Sequence, residues 1–387
     1  MSGVLSNIYN NTSYALRLHS EALARLQEQA YTGNRINRPS DGPSESYQIL
    51  GLSSVKRSLS NYMDNLSDVV GKLTMSGAAL TDMLGAISDA TKNISSISGT
   101  NEGAAISVAI EALNSALEQM VSAANSRRVS GVYLFGGNNT SSAPYTVTRT
   151  DGKITSVSYQ GGGQERTVEV ADGIEVTEYY VGDNIFRSDN RQAPAFAGTT
   201  GAAAGSGTSN VRGDVQLTVT HDGSNYKLSI DGGAEVTVQG VITNLAVTDT
   251  DGNVLYVDAT NITSTGEEWV RVPGTYDIFN ALISIRDKLE SGADINELRS
   301  NALESFGEIK SLLTGTSVTV GSKIGFLTNL NENLENMEFN ADDESARLQQ
   351  ADIAEISIDL ARREVLYQMT LAVSGKLMSM SLLDFIS

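Results

Sequence analysis

Hydrophobic residues recur at helical spacing at both ends of this chain, whereas the middle alternates between apolar and polar positions. At the N-terminal end the apolar residues follow a heptad spacing, with two more on the neighbouring heptad line: Tyr9, Leu16, Leu23 and Ala30, then Leu5 and Leu26. This spacing sets apolar side chains along one face of a helix. It predicts a helix over residues 4–32 whose apolar face packs against another helix.

The C-terminal segment, residues 341–386, is predicted to form one helix with apolar residues on nearly every side. The contact positions expected along it are Ile353, Ile356, Leu360, Leu366, Leu371, Leu377 and Leu382. A helix that is apolar all round must be buried by several neighbours, and one partner helix from the same chain cannot cover it. We therefore expect both ends of the chain to form surfaces that other subunits bury.

More helices are predicted on either side of the middle region. Apolar residues recur at helical spacing in four segments: 44–98, 104–129, 275–289 and 293–337, the last interrupted near 314–321. Gly33 is suited to end the first helix, because glycine readily takes the left-handed conformation found there. Pro43 is suited to the first position of the next helix, where a missing N–H costs nothing.

Residues 145–272 alternate between apolar and polar positions, as strands do. Asp-Gly pairs lie beside these segments and begin at Asp151, Asp172, Asp222, Asp231 and Asp251. Asp-Gly favours a tight hairpin turn, because both central residues of a type I′ turn need positive φ. Residues 150–272 hold 17 acidic and seven basic side chains. The region therefore predicts a solvated antiparallel β domain of one or two lobes.

Together these patterns predict a multidomain α+β protein with long terminal helices and a discontinuous helical bundle that carries an inserted antiparallel β domain. The expected divisions are a terminal helical region, a helical bundle and the insert: 1–40 with 342–387, 41–144 with 273–341, and 145–272. The helices on either side of the insert are expected to pack together.

Composition excludes several classes of function. The formal net charge is -19, which disfavours nucleic acid and anionic membranes as partners. No segment is apolar enough to predict a transmembrane helix, and no basic segment precedes an apolar one, so a cleavable secretory signal is not expected. The chain has no cysteine and two histidines, His19 and His221, and no HExxH motif. We therefore expect no metal, no cofactor and no enzymatic activity.

Several segments resemble the flagellin family of bacterial flagellar proteins. Near the N-terminus, Thr32–Asn37 (TGNRIN) and Pro39-Ser40-Asp41 are similar to a block typical of the family, although Gly42 stands where an acidic residue is common. Other segments are most like the branch of the family that joins hook to filament: Asn125–Arg128 (NSRR), Tyr133–Gly137 (YLFGG), Tyr180–Asp183 (YVGD) and Ser381–Phe385 (SLLDF).

The resemblance implies a structural role in an extracellular flagellum. In such proteins the terminal helices form an inner layer, the helical bundle an outer layer, and the insert faces solvent. The termini are disordered before assembly, and the chain is exported by the flagellar type III apparatus. The implied partners are neighbouring copies of the chain, hook-associated protein 1 on the hook side, flagellin on the filament side and an export chaperone.

Two other functions stay open from the sequence. One is a filament flagellin, which shares the terminal blocks. The other is a surface adhesin or glycan-binding module carried by the insert. Arg212-Gly213-Asp214 spells an integrin-recognition tripeptide, but three residues often occur by chance.

Arg35 and Arg38 flank the turn after the first helix. They form either a solvated basic turn or a set of ion pairs with acids of a neighbouring subunit, where inner and outer layers meet. The second reading is a hypothesis about assembly.

Overall fold

The computed structural model describes residues 2–97, 102–292 and 295–386, apart from the side chains of residues 2–6, 8, 102, 297 and 377–386. The helices are α1 (Ser2–Thr32), α2 (Pro43–Ser95), α3 (Glu102–Ala124), α4 (Gly182–Phe186), α5 (Ile278–Ser291), α6 (Ile295–Gln349) and α7 (Ile353–Ile386). The strands are β1 (Tyr145–Thr150), β2 (Lys153–Tyr159), β3 (Arg166–Ala171), β4 (Ile174–Tyr179), β5 (Ala195–Phe196), β6 (Ala203–Ala204), β7 (Gly213–His221), β8 (Tyr226–Ile230), β9 (Val236–Thr237), β10 (Leu245–Thr248), β11 (Val254–Asp258) and β12 (Gly266–Val272).

The chain divides into two compact units. One consists of Met1–Asp64 with Leu330–Ser387, and the other is Asn65–Asn329. In the first unit, α1 packs against α7. The second unit contains all the strands and the helices α3, α4 and α5. The architecture is mixed helix and sheet, which confirms the predicted fold class.

The helices α2 and α6 contain 53 and 55 residues, and each carries a buried apolar line with a spacing of seven. The buried line of α2 is Leu59, Leu66, Leu73, Leu80, Ile87 and Ile94, and that of α6 is Phe306, Leu313, Val320, Leu327, Leu334 and Ala341. A sustained seven-residue repeat is typical of helices that pack side by side along their length. Within the second unit, Gly77 of α2 lies against Val320 of α6.

The predicted interruption near residues 314–321 is wrong, because α6 continues through it. Hydroxyl groups in this stretch donate to carbonyls one turn back: Thr316 Oγ1 to the Leu312 carbonyl at 3.0 Å and Thr319 Oγ1 to the Gly315 carbonyl at 2.9 Å. Such bonds let polar β-branched residues remain inside a helix. The buried Val320 continues the apolar line.

The single helix predicted over residues 341–386 is also wrong. α6 runs on to Gln349, and α7 begins at Ile353. Asp352 caps the new helix, since its Oδ1 accepts from the N–H groups of Ala354 at 2.9 Å and Glu355 at 3.1 Å. These bonds satisfy N–H groups that have no partner inside the helix.

The Asp-Gly turns connect antiparallel strands as predicted. The five pairs lie between β1 and β2, β3 and β4, β7 and β8, β8 and β9, and β10 and β11. Asp151 and Asp231 themselves have positive φ, at 52° and 44°. The remaining three aspartates have no positive φ, so only their glycines occupy that region.

The insert closes its own hydrophobic core. A five-stranded sheet has the order β5-β12-β7-β8-β9, and a three-stranded sheet has the order β10-β11-β6. Their apolar side chains form one buried cluster: Val211, Val215, Leu217, Val219, Leu228, Ile230, Val238, Val247, Leu255, Val257, Ala259, Ile262, Val270 and Val272. The two remaining hairpins, β1-β2 and β3-β4, are separate two-stranded sheets.

Ion pairs attach the β3-β4 hairpin to α2. The Lys72 side chain is 4% exposed and pairs with Asp68 and with Glu178 of β4. Arg128 also pairs with Asp68, and Arg166 pairs with Glu178 at 3.0 Å. Lys72 further lies over the Tyr179 ring, 4.7 Å from its centre. A cation buried this deeply requires such partners, because removing a charge from water is costly.

Candidate assembly interface

The predicted contact residues of the terminal helices lie on partly covered surfaces. In α1, Leu16, Leu23 and Leu26 are half-buried and Tyr9 is 55% exposed. In α7, Ile356 is buried and Leu360 half-buried, whereas Ile353, Leu366 and Leu371 are exposed. Leu5, Leu377 and Leu382 have side chains outside the described ones. The pairing of α1 with α7 thus covers one face of each helix and leaves others uncovered.

The uncovered surface of α7 is strongly apolar. Its exposed large side chains are Ile353, Ile358, Val365, Leu366, Met369, Leu371 and Val373, with exposed fractions from 38% to 69%. Scattered exposed apolar residues are common on soluble proteins, but this surface is denser than that, which makes it the candidate for contacts with other molecules. In the described part of α7, the pairing with α1 leaves these side chains exposed.

The two breaks in the terminal helices meet in a structure that we call the clasp, residues 33–41 and 349–352. The Arg35 N–H donates to the Gln349 carbonyl at 2.6 Å, and the Ala351 N–H donates to the Gly33 carbonyl at 3.0 Å. Asn34 and Gln350 form an antiparallel bridge. Gly33 ends α1 with φ of +72°, as predicted, and its N–H donates to the Gln29 carbonyl.

Arg35 and Arg38 both have acidic partners within the chain. Arg38 Nη2 lies 3.0 Å from Glu28 Oε2, and Arg35 Nη2 lies 3.6 Å from Glu45 Oε1. Both arginine side chains stay largely open to solvent, with exposed fractions of 67% and 49%. In the same turn Asp41 Oδ2 accepts from the backbone N–H groups of Asn37 and Arg38. The arginines are thus positioned at the surface of the clasp.

A second candidate site is a cavity of about 950 Å³ in the second unit, which lies between the sheet and α5. Its walls carry Asp214, Asp231, Asp249, Asp251, Asp277 and Asp287. Most of these carboxylates accept hydrogen bonds from the fold itself. Asp277, for example, caps α5 through the N–H groups of Phe279 and Asn280. In the described ranges no three acidic, histidine or cysteine side chains could hold a metal ion.

A lysine lies in the wall of this cavity. Lys288 Nζ is buried without a hydrogen-bond acceptor and lies 3.3 Å from the centre of the Trp269 ring. Burial lowers the pKa of Lys288 to about 8, while the nearby Asp231 and Asp214 carboxylates oppose that change. The ring face offers the ammonium group its closest favourable contact.

The Arg212-Gly213-Asp214 tripeptide is a structural element. Tyr276 donates its hydroxyl to Asp214 Oδ1 at 2.6 Å, and Ser305 donates to Asp214 Oδ2. Burial raises the pKa of the Asp214 carboxyl, although these two hydrogen bonds act in the opposite direction. A carboxyl enclosed in this way is unavailable to an integrin, which disfavours an adhesive role for the tripeptide.

Two of the segments that carried the family resemblance pair with each other. The Gly137 N–H donates to the Tyr180 carbonyl, and the Gly182 N–H donates to the Phe135 carbonyl at 3.0 Å. Phe135 stacks edge-on against Phe186, with ring centres 4.9 Å apart. Gly137 has φ of +58°, and a Cβ there would approach the Gly162 carbonyl to 2.6 Å. The motif is therefore a packing element, in which glycine is required at position 137.

The comparison with known families concerns the N-terminal helices. Residues 5–140 match the bacterial flagellin N-terminal helical region. The matched residues make up about a third of the chain, and this part is similar to the flagellin helical region. The match covers most of α1, all of α2 and α3, and the clasp residues 33–41, so one of the two clasp segments and the buried heptad line of α2 lie inside the matched region.

Two curated relatives are similar to the chain. Flagellar hook-associated protein 3 of Escherichia coli is 28% identical over 172 residues, which is 43% of this chain and 51% of the relative. Flagellar hook-associated protein 3 of Salmonella typhimurium is 26% identical over 168 residues, 42% of this chain and 50% of the relative. The chain thus spans about half the length of the curated relatives it matches. Neither name is that of an enzyme, in agreement with the sequence prediction.

Solved structures share the fold. FlgL of Xanthomonas campestris matches with a TM-score of 0.50 and 18% identity, over 73% of this chain and 98% of that one. A putative flagellar hook-associated protein of Vibrio parahaemolyticus matches with a TM-score of 0.52 and 13% identity, over 80% of this chain and 100% of that one. At these identities the likeness concerns the fold.

Sequence reasoning missed two long-range contacts, one in the clasp and one between α2 and β4. The clasp joins segments 313 residues apart, and the pairing of Lys72 with Glu178 spans 106 residues. A local signal for the clasp was present in Asp352-Ile353-Ala354-Glu355, an acidic cap with a glutamate three residues later.

Among the described residues, no helix is long and apolar enough to cross a membrane.

Proposed function

We propose that this chain is a structural subunit of the bacterial flagellum, a junction adaptor that joins hook to filament. It leaves the cell unfolded through the flagellar type III apparatus and assembles at the distal end of the hook. It performs no catalysis. The observation that carries this proposal is the exposed apolar surface of α7, which α1 leaves uncovered.

The physical basis is burial on assembly. Each fully buried Leu or Ile side chain contributes about 1.5–3 kcal/mol, and ordering the backbone costs roughly 1–2 kcal/mol per residue. The terminal pair alone leaves most of the α7 side chains exposed. Neighbouring subunits that cover them supply the missing contribution. Residues 1–40 and 342–387 form the inner layer, 41–144 and 273–341 the outer layer, and 145–272 the solvent-exposed insert.

The proposed partners follow from a position between two different polymers. They are neighbouring copies of this chain, hook-associated protein 1 on the hook side and flagellin on the filament side, with an export chaperone before secretion. The similarity to hook-associated protein 3 supports this position in the flagellum. The self-contained core of the insert supports its placement in solvent, since it needs no partner.

Filament flagellin remains the second candidate, because the matched region is a flagellin region. A strain that lacks this gene distinguishes the two. We expect electron microscopy to show bare hooks, with flagellin monomers accumulating in the medium. Missing filaments without released flagellin would instead identify the chain as the filament subunit. Intact filaments would point to redundancy with another gene or to the adhesin.

The hypothesis about Arg35 and Arg38 can be tested in the same strain. Arg38→Glu breaks the pair with Glu28 and should reduce filament attachment at least about tenfold if Arg38 also pairs across subunits. Exposed ion pairs contribute only about 0–1 kcal/mol, so the free subunit should remain folded. Arg17→Glu, which breaks the exposed pair with Glu21 within α1, is the control. Normal motility with Arg38→Glu would show that Arg38 is only part of a solvated turn.

A further inference from the structure

The distal part of the insert has a hydrophobic core of its own. We call residues 195–272, which contain β5 to β12, the distal lobe. The buried residues of the core cluster lie in this lobe, and so do the partly buried side chains packed against it, such as Phe196, Tyr226 and Leu245. Of the residues that the structure describes, none from α3, α5 or α6 belongs to the cluster. The distal lobe is therefore attached to the helices by contacts other than a shared core.

Two antiparallel segments, residues 187–192 and 273–277, connect the distal lobe to the rest of the second unit, and we call them the neck. The Ser188 N–H donates to the Tyr276 carbonyl at 2.8 Å across the neck. Both segments lie outside the helices and strands. Short connections at the ends of such elements are where hinges absorb changes in φ and ψ. The neck is therefore a hinge candidate.

Polar contacts hold the distal lobe and the neck against α6, and we call them the latch. They join Arg271 with Glu304, Asp214 Oδ2 with Ser305 Oγ, and the Gly274 N–H with Glu308 Oε1 at 2.7 Å. On the α5 side, Lys288 Nζ lies 3.3 Å from the centre of the Trp269 ring. Polar contacts are exchanged for contacts with water at little net cost, and polar interfaces between domains permit relative motion.

An open cleft lies beside the latch, namely the cavity of about 950 Å³ between the sheet and α5. The distal lobe lines it with Asp231, Asp249 and Asp251. Asp277, which caps α5, and Asp287 of α5 line it from the helix side. Like charges on two facing surfaces repel each other when the surfaces approach. The cleft thus leaves the distal lobe room to move, while its carboxylates oppose closure.

From this arrangement we infer that the distal lobe pivots about the neck into the cleft, and that the latch holds it in the observed orientation. Breaking the latch exposes no apolar core, so the lobe turns while it stays folded. The observed orientation is then one of two, selected by a few side chains of α6. This inference concerns the free chain and does not depend on the proposed function.

The test is pulsed electron double resonance on the full-length free chain, which measures distances between two spin labels. The chain has no cysteine, so labels attach only at introduced positions. Thr250→Cys with Asn280→Cys measures the width of the cleft, and Ser224→Cys with Ser322→Cys measures the position of the distal lobe relative to α6. All four positions are exposed. With the latch intact, each pair should give one narrow distribution of distances.

The latch variant combines Glu304→Ala, Ser305→Ala and Glu308→Ala. It removes the α6 half of the latch, and alanine is a strong helix former, so α6 should remain helical. Both distance distributions should at least about double in width, and that of the cleft should shift to shorter distances. Salt at about 1 M reduces the Debye length to about 3 Å. The cleft should then close further in the variant and stay unchanged in the chain with an intact latch.

The matched control removes the same chemical groups from α6 outside residues 304–308, through Ser311→Ala, Glu332→Ala and Glu335→Ala. Its distributions should equal those of the intact chain. Circular dichroism checks that each variant is folded. If the triple latch variant does not fold, Arg271→Gln breaks the ion pair from the lobe side and should broaden the same distributions to a smaller extent.

Three results would overturn the inference. Broad distributions with the latch intact would show that the latch does not hold the distal lobe. Narrow, unshifted distributions in the folded latch variant would show that other contacts hold it. Equal broadening in the control would show that loss of any such side chains loosens α6. Because only the free chain is measured, none of these results bears on whether the protein joins hook to filament.

Discussion

The insert and the terminal helices use the same kind of side chain in opposite ways. In the insert, Leu217, Leu228 and Leu255 are completely buried in a core that the chain closes by itself. In α7, Ile358 and Met369 are 69% and 61% exposed. Hydrophobic burial stabilises a domain only where neighbours are present. The insert therefore contributes to the stability of the free chain, whereas the exposed apolar side chains of α7 contribute little to it.

The largest expected effect concerns the buried ion pair between Lys72 and Glu178. Lys72→Met leaves the carboxylate of Glu178, which is 10% exposed, without its closest partner. Breaking a buried pair typically costs about 3–5 kcal/mol. Calorimetry of the free chain should show a correspondingly lower unfolding temperature. Arg17→Ala breaks a pair in α1 that is 71% and 63% exposed, and should change stability by less than about 1 kcal/mol. If Lys72→Met lowered stability as little as Arg17→Ala, water would have to reach Lys72.

The next prediction compares two leucines directly. Leu255→Ala creates a cavity in the insert and should cost about 2–5 kcal/mol. Leu371→Ala, at a position 46% exposed in α7, should cost less than about 0.5 kcal/mol in the free chain. Urea unfolding followed by circular dichroism measures both. In the assembled flagellum the ranking should reverse, with filament attachment impaired by Leu371→Ala. Loss of free-chain stability in Leu371→Ala would show that α7 is already covered.

A smaller effect is expected for a carboxyl group inside the insert. Glu268 is 1% exposed, its Oε1 has no hydrogen-bond partner, and burial raises its pKa. Below the pKa of the unfolded chain the group is neutral in both states and costs nothing. As pH rises from there through the folded-state pKa, ionisation destabilises the folded chain.

Replacing Glu268 by glutamine should therefore stabilise the chain at neutral pH. Glu268→Gln is expected to raise stability on the order of 1 kcal/mol at pH 7.5, and the difference from wild type should shrink towards pH 4. Glu267→Gln is the control, since it removes a carboxyl group at the exposed neighbouring position. A pH-independent effect of Glu268→Gln would mean that the carboxyl group is solvated. Thermal unfolding across the pH range measures these differences.

Local sequence patterns predicted the helices and the hairpin turns. The features that were missed depend on contacts between residues far apart in the sequence. The heptad spacing of Tyr9, Leu16 and Leu23 predicted α1, and the Asp-Gly pairs predicted the hairpin turns, because each signal is contained within a few residues. The continuity of α6 was missed because the glycines and threonines of 314–321 resemble a loop, while the buried partners that hold Val320 in place lie elsewhere in the chain. The pairing of Lys72 with Glu178 depends on tertiary structure alone.

The contact between Lys288 and Trp269 has a spectroscopic consequence. Trp269 is the single tryptophan in the sequence, and a buried ammonium group lies over its ring. A charge at this distance shifts and quenches indole emission. Because the pKa of Lys288 is about 8, the ammonium group loses its charge within an accessible pH range. The intrinsic fluorescence of the chain therefore reads out one defined position in the insert, without any attached dye. Unfolding and refolding of the free chain can each be followed through it.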